Sequence, residues 1–221
     1  MNKNLRGGIR SWLFRIPLTP PVDPERFNDP LAITCGWKSL RSGSANFTTH
    51  RLFQMKDSSL IYKSVSMLKV FGIAFIIVAA ASLYIYFVAI NTHWIMLVIS
   101  LLFLIVGIVV EVQSMIPIRF DSQNKLYYRG WRSNRQDHAA SPQKSLPFNE
   151  IHAIQLLTKV GKVTDSSENI HGNRYFYAYE LNLVSHSGTR KYVMTYINRE
   201  QALADAELIS ELVKAPVWNA I

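Results

Sequence analysis

The stretch MLKVFGIAFIIVAAASLYIYFVAI at residues 67–90 is followed by the polar tripeptide NTH at residues 91–93 and by WIMLVISLLFLIVGIVVEV at residues 94–112. Each apolar run carries one charged residue near the end away from the tripeptide, Lys69 in the first and Glu111 in the second. Roughly 20 consecutive apolar residues in a helix cross the ~30 Å hydrocarbon layer of a bilayer. The stretch therefore predicts a two-helix transmembrane hairpin.

The positive charge of the chain lies outside this hairpin, and most of it comes before it. The net charge is +9, with +7 up to Lys69, +3 from Ser114 onward and −1 from the acidic residue between them. The tripeptide that joins the apolar runs has no Lys or Arg. Because basic loops stay in the cytoplasm, both termini are expected there. Tyr84, Tyr86 and Trp94 flank the tripeptide, as an aromatic belt at the far interface would.

Two further observations favour a cytoplasmic location for the parts outside the membrane. Cys35 is the only cysteine, so the chain forms no internal disulfide, which suits a reducing compartment. The first apolar run long enough to act as a signal begins near residue 67, so no cleavable signal peptide is expected.

The chain begins with a segment whose composition predicts irregular structure. Residues 1–15, MNKNLRGGIRSWLFR, contain arginine but no acidic residue and predict a mobile or membrane-surface arm. Residues 17–30 hold five of the nine prolines. Proline breaks helices and cannot donate to a strand ladder, so these residues predict an extended linker.

Two similar phrases on either side of the apolar block predict β-hairpins. Before it, THRLFQM at residues 49–55 and LIYKSV at residues 60–65 are separated by a short polar turn. After it, IPIRF at residues 116–120 and LYYRGW at residues 126–131 repeat the pattern. Apolar runs of this length around polar turns are typical of strands. The likeness suggests that both hairpins contribute to one sheet at the membrane face.

The rest of the chain predicts a β-rich region. Residues 151–157 read as a strand, and residues 160–173 read as a polar loop. Strict alternation in RYFYAYELNLVSH at residues 174–186, followed by TRKYVMTYI at residues 189–197, predicts two strands. The Ser-Gly dipeptide at residues 187–188 predicts a tight turn between them.

The pattern changes to a helical period after Asn198, a plausible N-cap, and Pro216 ends the helix. Several antiparallel strands closed by a C-terminal helix resemble a pleckstrin-homology-like domain, here from Ile116 to Trp218. Eukaryotic lipid-binding members of that class use basic residues around their first hairpin. The matching turn here has a single lysine, Lys125, which departs from that pattern.

The chain after residue 30 also resembles a group of uncharacterised bacterial two-span inner-membrane proteins. The phrases that carry this likeness are SANFTTH at residues 44–50, YELNLV at residues 179–184 and PVW at residues 216–218. The resemblance implies an architecture and a bacterial cytoplasmic membrane. It implies no activity, so it assigns no catalytic residue.

The expected fold class is therefore an α+β membrane protein, with a transmembrane helical hairpin and an antiparallel, pleckstrin-homology-like cytoplasmic domain that ends in a helix. The expected segments are an N-terminal basic and Pro-rich cytoplasmic arm at residues 1–47, a β-hairpin at 48–66, the transmembrane hairpin at 67–113 and the pleckstrin-homology-like domain at 114–221.

The charged residues of the spans are the first candidates for a site. Lys69 and Glu111 lie near the same edge of the predicted hairpin, offset by about 6 Å at ~1.5 Å per residue. They either form an intramembrane ion pair or extend separately to the interface; a proton or ion relay is a third alternative. Small residues seven apart, Gly72 and Ala79 in one span and Ser100 and Gly107 in the other, predict close helix packing.

A basic and aromatic cluster about ten residues after the second span is the best binding candidate. Arginine would meet lipid phosphates there, and tryptophan would lie among head groups. The alternative is a solvated turn that only obeys the topology rule. The predicted lipid- or partner-binding residues are Arg129, Trp131, Arg132 and Arg135.

Other motifs predict no chemistry. The six histidines do not have metal-ligand spacing, so neither a metal nor a cofactor is expected. Nucleophile elbows and phosphate loops are absent from the sequence, and no nucleic-acid-binding motif is found. Glu180 and Asn182 lie on the polar-containing face of a predicted strand. They either approach the membrane or a groove, or are solvated.

These observations predict a non-enzymatic, membrane-anchored interaction module that binds a protein partner or anionic lipid at the cytoplasmic face, with self-association also open. One alternative is an immunity protein that neutralises a secreted antibacterial toxin, since such proteins are often small, basic and membrane-embedded. A second alternative is an accessory subunit of a larger membrane complex.

Overall fold

The computed structural model describes residues 19–43, 47–88, 93–130, 145–165 and 172–221. One turn of 3-10 helix at Glu25–Phe27 precedes the regular elements. In chain order the helices and strands are α1 (Pro30–Thr34), β1 (His50–Gln54), β2 (Leu60–Ser64), α2 (Ser66–Val88), α3 (Trp94–Met115), β3 (Ile118–Asp121), β4 (Leu126–Arg129), β5 (Ser145–Pro147), β6 (Ile151–Asp165), β7 (Gly172–Ser185), β8 (Arg190–Tyr196), α4 (Arg199–Val213) and β9 (Val217–Ala220).

These elements form two compact units that interleave along the chain. The helical-hairpin unit comprises Thr49–Ser145 and contains β1 to β4 with α2 and α3. The second unit takes the described parts of Met1–Thr48 and Leu146–Ile221, so α1 belongs with β6 to β9 and α4. The boundaries expected from sequence differ from these, because they separate residues 1–47 from the C-terminal region and keep residues 114–221 together.

The first sheet has the strand order β1-β2-β3-β4-β5, of which β1 to β4 belong to the helical-hairpin unit. Both hairpins that flank the apolar block are present, and β2 pairs antiparallel with β3, with Leu60 opposite Phe120 and Tyr62 opposite Ile118. These four side chains share one face and are all buried. The two hairpins therefore contribute to one sheet, as their similar sequences suggested, and β5 ends it.

The helices α2 and α3 are long and apolar enough to cross a membrane, over Lys69–Val88 and Trp94–Met115. Only 11% of each span is buried within the chain, so most of their apolar side chains face outward. A core helix of a soluble protein buries a broad apolar stripe instead. Tyr84 and Trp94 lie exposed near the ends that face the polar tripeptide, of which only His93 is described.

The two helices pack through the small residues that the sequence pattern indicated. Gly72 and Ala79 of α2 and Ser100 and Gly107 of α3 are all buried. A Cβ atom added to Gly107 would lie 2.7 Å from Ile76 Cγ1 and 3.0 Å from the Gly72 carbonyl oxygen. Since real Cβ atoms do not approach so closely, the contact requires glycine, and the predicted packing is confirmed.

The second unit contains a four-stranded sheet in the order β8-β7-β6-β9, in which β9 is parallel to β6 and the other neighbours are antiparallel. The polar loop expected at residues 160–173 is wrong for most of its length, because β6 continues to Asp165 and β7 begins at Gly172. The extension pairs Val160 with Tyr177, and aromatic and β-branched partners stabilise such a ladder despite polar neighbours.

The C-terminal helix forms where the sequence predicts it. Asn198 is its N-cap and accepts a hydrogen bond from the Gln201 N–H, and Lys214 closes it in the left-handed conformation. The buried side of α4 carries Ala202, Ala206 and Ile209, which pack towards the sheet.

One charged residue lies on this buried side of α4. Asp205 is 7% exposed, and its Oδ2 atom is buried with no hydrogen-bond partner in the part of the chain that the structure describes. Burial raises the pKa of Asp205 to about 6, although a hydrogen bond from the Tyr196 side chain acts in the opposite direction. An ionised carboxylate at this place is therefore unfavourable.

The extended linker expected at residues 17–30 is wrong only in part, because Glu25–Phe27 form a 3-10 helix and α1 begins at Pro30, whereas residues 19–24 and 28–29 contain no helix or strand. Residues 19–43, which we call the N-terminal strap, include α1, whose N-cap Asp29 accepts from the Leu31 N–H. Pro30 occupies the first helical position, where its missing N–H costs nothing. Proline content alone therefore missed these two short helices, because Pro24 is the N-cap of the first and Pro30 begins the second.

The strap packs on one face of the second sheet. Ala32 and Cys35 of the strap form a buried cluster with Ala153, Val184 and Trp218. The strap's aromatic rings add to this cluster, since Phe27 and Trp37 stack at 5.0 Å between centroids and Trp37 lies 5.8 Å from the Trp218 ring. The strap is thus part of the core of the second unit.

Candidate interaction surfaces

Arg129 is the last residue of β4, at the end of the first sheet that adjoins the long helices. It pairs with Ile118, three residues after the end of α3 at Met115. Burial, and to a smaller extent the positive charge of Arg129, lower the pKa of His50. The other predicted members of the cluster, Trp131, Arg132 and Arg135, lie outside the described residues.

A second basic surface, formed by Arg51 and Lys63, was missed by sequence reasoning. The two residues stand directly opposite each other in the β1–β2 ladder, and both are exposed. The Lys63 ammonium lies 5.5 Å from the centroid of the Phe53 ring. Like charges directly opposite each other destabilise a sheet, so this pair does not stabilise the fold. The hairpin register would have revealed it once the turn was placed at residues 55–59.

The structure places the charged residues of the helices separately. Glu111 lies against Gly72, where an added Cβ atom would be 2.6 Å from the carboxylate Oε1. That Oε1 is buried and has no hydrogen-bond partner among the described residues. Lys69 is exposed, and no ion pair between it and Glu111 is found in the described part of the chain. Gly72 leaves the space that Glu111 fills, one helical turn from the lysine.

Polar side chains buried under the strap form a seam on the face of the second sheet. Glu180 is fully buried and accepts hydrogen bonds from the backbone N–H groups of Leu40 and Arg41, at 2.7 and 3.2 Å. Lys159 lies with its Nζ 3.5 Å from Glu180 Oε2 and donates to the carbonyls of Arg41 and Gly43. Burial lowers the pKa of Lys159, although the charge of Glu180 raises it.

Three more side chains complete this polar seam. Gln155 donates to the Gly36 carbonyl, and Arg190 donates to the Lys38 carbonyl and to Gln155 Oε1. Asn182 is fully buried and donates to Glu180 Oε1. The seam therefore binds the backbone of strap residues 36–43. Of the alternatives for Glu180 and Asn182, neither solvation nor an open groove applies, because the strap covers both residues.

A contact between His152 and Asp29 holds the start of α1 against the second sheet. His152 Nε2 lies 2.7 Å from Asp29 Oδ2, and His152 Nδ1 lies 3.1 Å from His186 Nδ1. Burial raises the pKa of Asp29, but the hydrogen bonds from His152 and from the Leu31 backbone outweigh it, and the net shift is downward. Asp29 is thus held ionised as both a helix cap and an anchor for the strap.

These contacts use buried polar side chains of the second unit to hold its own strap. Among the described residues no group of three or more His, Cys, Asp or Glu side chains could hold a metal ion. In the first sheet, the β1–β2 pair of Arg51 and Lys63 is exposed, and Arg129 is half-buried at the end that adjoins the long helices. The pair of Arg51 and Lys63 is suited to binding anionic groups.

Comparison of the chain with protein-family models, with curated proteins and with solved structures finds no match.

Proposed function

We propose that this protein is a non-enzymatic interaction module, anchored in a bacterial inner membrane by α2 and α3 with both termini in the cytoplasm. The length of the two helices and their outward apolar side chains support the anchor. The distribution of Lys and Arg supports the orientation. The strands β6 to β8 followed by α4 support the pleckstrin-homology-like identity as part of the same proposal.

The observation that carries the proposal is the direct continuation of both helices into one sheet. β2 ends at Ser64 and α2 begins at Ser66, while α3 ends at Met115 and β3 begins at Ile118. With both helices in a bilayer, the adjoining end of the sheet stands at the level of the lipid head groups. The half-buried Arg129 ends its strand there, which supports the proposed contact with anionic lipid.

The experiment compares lipid retention by the parent protein and a triple variant, Arg129→Glu, Arg132→Glu and Arg135→Glu. Both full-length proteins are placed in nanodiscs of mixed phosphatidylglycerol and phosphatidylcholine, and the lipids that stay bound are measured by native mass spectrometry. Each basic residue near an anionic membrane surface contributes about 1 kcal/mol to the attraction. We therefore expect phosphatidylglycerol enrichment in the parent and its loss in the variant.

A matched control replaces three exposed lysines of the second unit, Lys38, Lys162 and Lys214, with Glu. It makes the same change in net charge and is expected to retain phosphatidylglycerol as the parent does. If the triple arginine variant is folded and inserted and still retains this lipid as the parent does, the lipid-contact proposal is wrong.

The narrower roles, immunity to a secreted toxin or membership in a larger membrane complex, are tested separately. Crosslinking in the native host followed by purification in mild detergent would recover a toxin in the first case. In the second it would recover membrane subunits at fixed stoichiometry.

A further inference from the structure

Within the described ranges, strand β1 is the outermost strand of the first sheet and pairs only with β2. The hydrogen bonds at the two ends of the hairpin determine which residues of β1 bond to β2 and which point outward. The Val65 N–H donates to the Thr49 carbonyl, and the Met55 N–H donates to the Ser59 carbonyl. In an antiparallel ladder hydrogen-bonded pairs alternate, so the odd-numbered residues of β1 bond to β2. The N–H and C=O groups of Leu52 and its even-numbered neighbours therefore point to the outer edge.

The side chains along this edge carry a consistent pattern. Arg51, Phe53 and Met55 lie on one face, and all three are exposed, with Phe53 46% and Met55 39% exposed. Lys63 stands opposite Arg51 on the same face. Neither β1 nor β2 contains an acidic residue. Asp57 in the turn between them is already paired with Arg119, at 2.8 Å.

We propose that the outer edge of β1 binds an extended, acidic segment of a partner protein by strand addition. An antiparallel strand would place side chains opposite Met55, Phe53 and Arg51 in that order. Its complementary sequence is apolar, any, apolar, any, acidic, read from its N-terminus. The acidic side chain would relieve the like-charge contact of Arg51 and Lys63, and the edge would supply main-chain hydrogen bonds.

Charge argues against a second copy of this chain as the occupant. In a symmetric antiparallel pair centred on Leu52, each Arg51 would lie opposite Phe53 of the other copy. Both basic pairs would then lie on the same face without any acidic side chain from either β1 or β2. Basic residues on an edge strand disfavour such self-pairing, while they favour an acidic partner. The proposal does not depend on lipid contact by Arg129.

The test uses the full-length protein in nanodiscs of phosphatidylcholine alone, which removes anionic lipid from the assay. The probe is the fluorescein-labelled peptide TVTVTET, and its charge-reversed control is TVTVTKT. Fluorescence anisotropy measures the affinity for each. Exchanging an attractive cross-strand contact for a repulsive one at two basic residues predicts a preference of about tenfold for TVTVTET.

Two variants separate charge from main-chain recognition. The double variant Arg51→Glu and Lys63→Glu is expected to reverse the preference, so that TVTVTKT binds about tenfold tighter. Leu52→Pro removes an outward N–H without removing a β1–β2 hydrogen bond, and it is expected to abolish binding of both peptides. Equal binding of the two peptides to the parent, unchanged preference in the double variant, or no binding to the folded parent would each overturn the proposal.

Discussion

Replacement of Asp205 by Asn is expected to stabilise the second unit in a strongly pH-dependent way. The carboxylate lies on the buried side of α4, and its Oδ2 has no hydrogen-bond partner among the described residues. Burial raises its pKa to about 6 from an ordinary value of 3.8. Each pKa unit corresponds to 1.36 kcal/mol, so ionised Asp205 costs the folded state about 3 kcal/mol at neutral pH.

The direction of the pH dependence follows from the raised pKa. Below about pH 4 the folded and unfolded chains both keep the proton, and Asp205 costs nothing. As pH rises towards 6, the unfolded chain loses the proton first, so stability falls, and above that range the loss is constant. The amide hydrogens of Asn would lack an acceptor at the position of Oδ2. This reduces the gain in the free energy of unfolding by about 1 kcal/mol. The expected net gain is about 2 kcal/mol at pH 7.5.

Thermal unfolding of the full-length protein in mild detergent, followed by tryptophan fluorescence, measures this gain. A 2 kcal/mol change in a unit of about 100 residues raises Tm by roughly 10 °C. Glu207→Gln, at an exposed position of the same helix, is the charge-matched control and should change stability by less than about 0.5 kcal/mol. A gain for Asp205→Asn that is equal at pH 4 and pH 7.5, or a loss at pH 7.5, would refute the reasoning.

Two further substitutions test the packing of each unit. Glu180→Gln leaves the Lys159 ammonium buried without a counter-charge, and we expect a loss of about 3 kcal/mol in denaturant unfolding, whereas a loss under 0.5 kcal/mol would contradict the role of the pair. Gly107→Ala forces a methyl group against Ile76 and should destabilise the helical hairpin by about 1–3 kcal/mol in circular-dichroism melting. Ala74→Leu, on the exposed side of α2, is its control, and an equal effect of both would count against the close packing.

The elements that the sequence predicted best are those whose pattern is local. The apolar runs, the hairpins around them, and the helix capped by Asn198 each follow from short-range periodicity and turn chemistry. The shared sheet of the two hairpins was also anticipated, because their phrases are alike. The small-residue spacing of Gly72 and Gly107 likewise predicted a contact, since in lipid only small side chains permit such an approach.

The strap and the polar seam beneath it could not be predicted, because they depend on contacts between residues more than 100 positions apart. Helix α1 was not predicted, because the five prolines of residues 17–30 indicated irregular structure. Asp29 directly before Pro30 is nevertheless a helix-start signal. Glu180 on a strand face shared with Ala178 and Val184 was a second signal, since buried charges need partners. Of the predicted binding residues, only Arg129 is described, and it lies at the end of β4. Arg51 and Lys63 were not predicted, because their proximity depends on the pairing register of β1 and β2.

If α2 and α3 cross a membrane as proposed, the docking of the strap on the second sheet restricts how the two helices can insert. Residues 19–43 are synthesised about 140 residues before Glu180, so at ~5–20 residues per second they wait on the order of 10 s for their binding face. The strap and Glu180 can meet only if an even number of membrane crossings lies between them. Insertion of both helices, or of neither, satisfies that parity, whereas a single inserted helix would leave the strap and Glu180 on opposite sides of the membrane. Closure of the second unit would therefore exclude, molecule by molecule, the topology in which one helix alone has inserted.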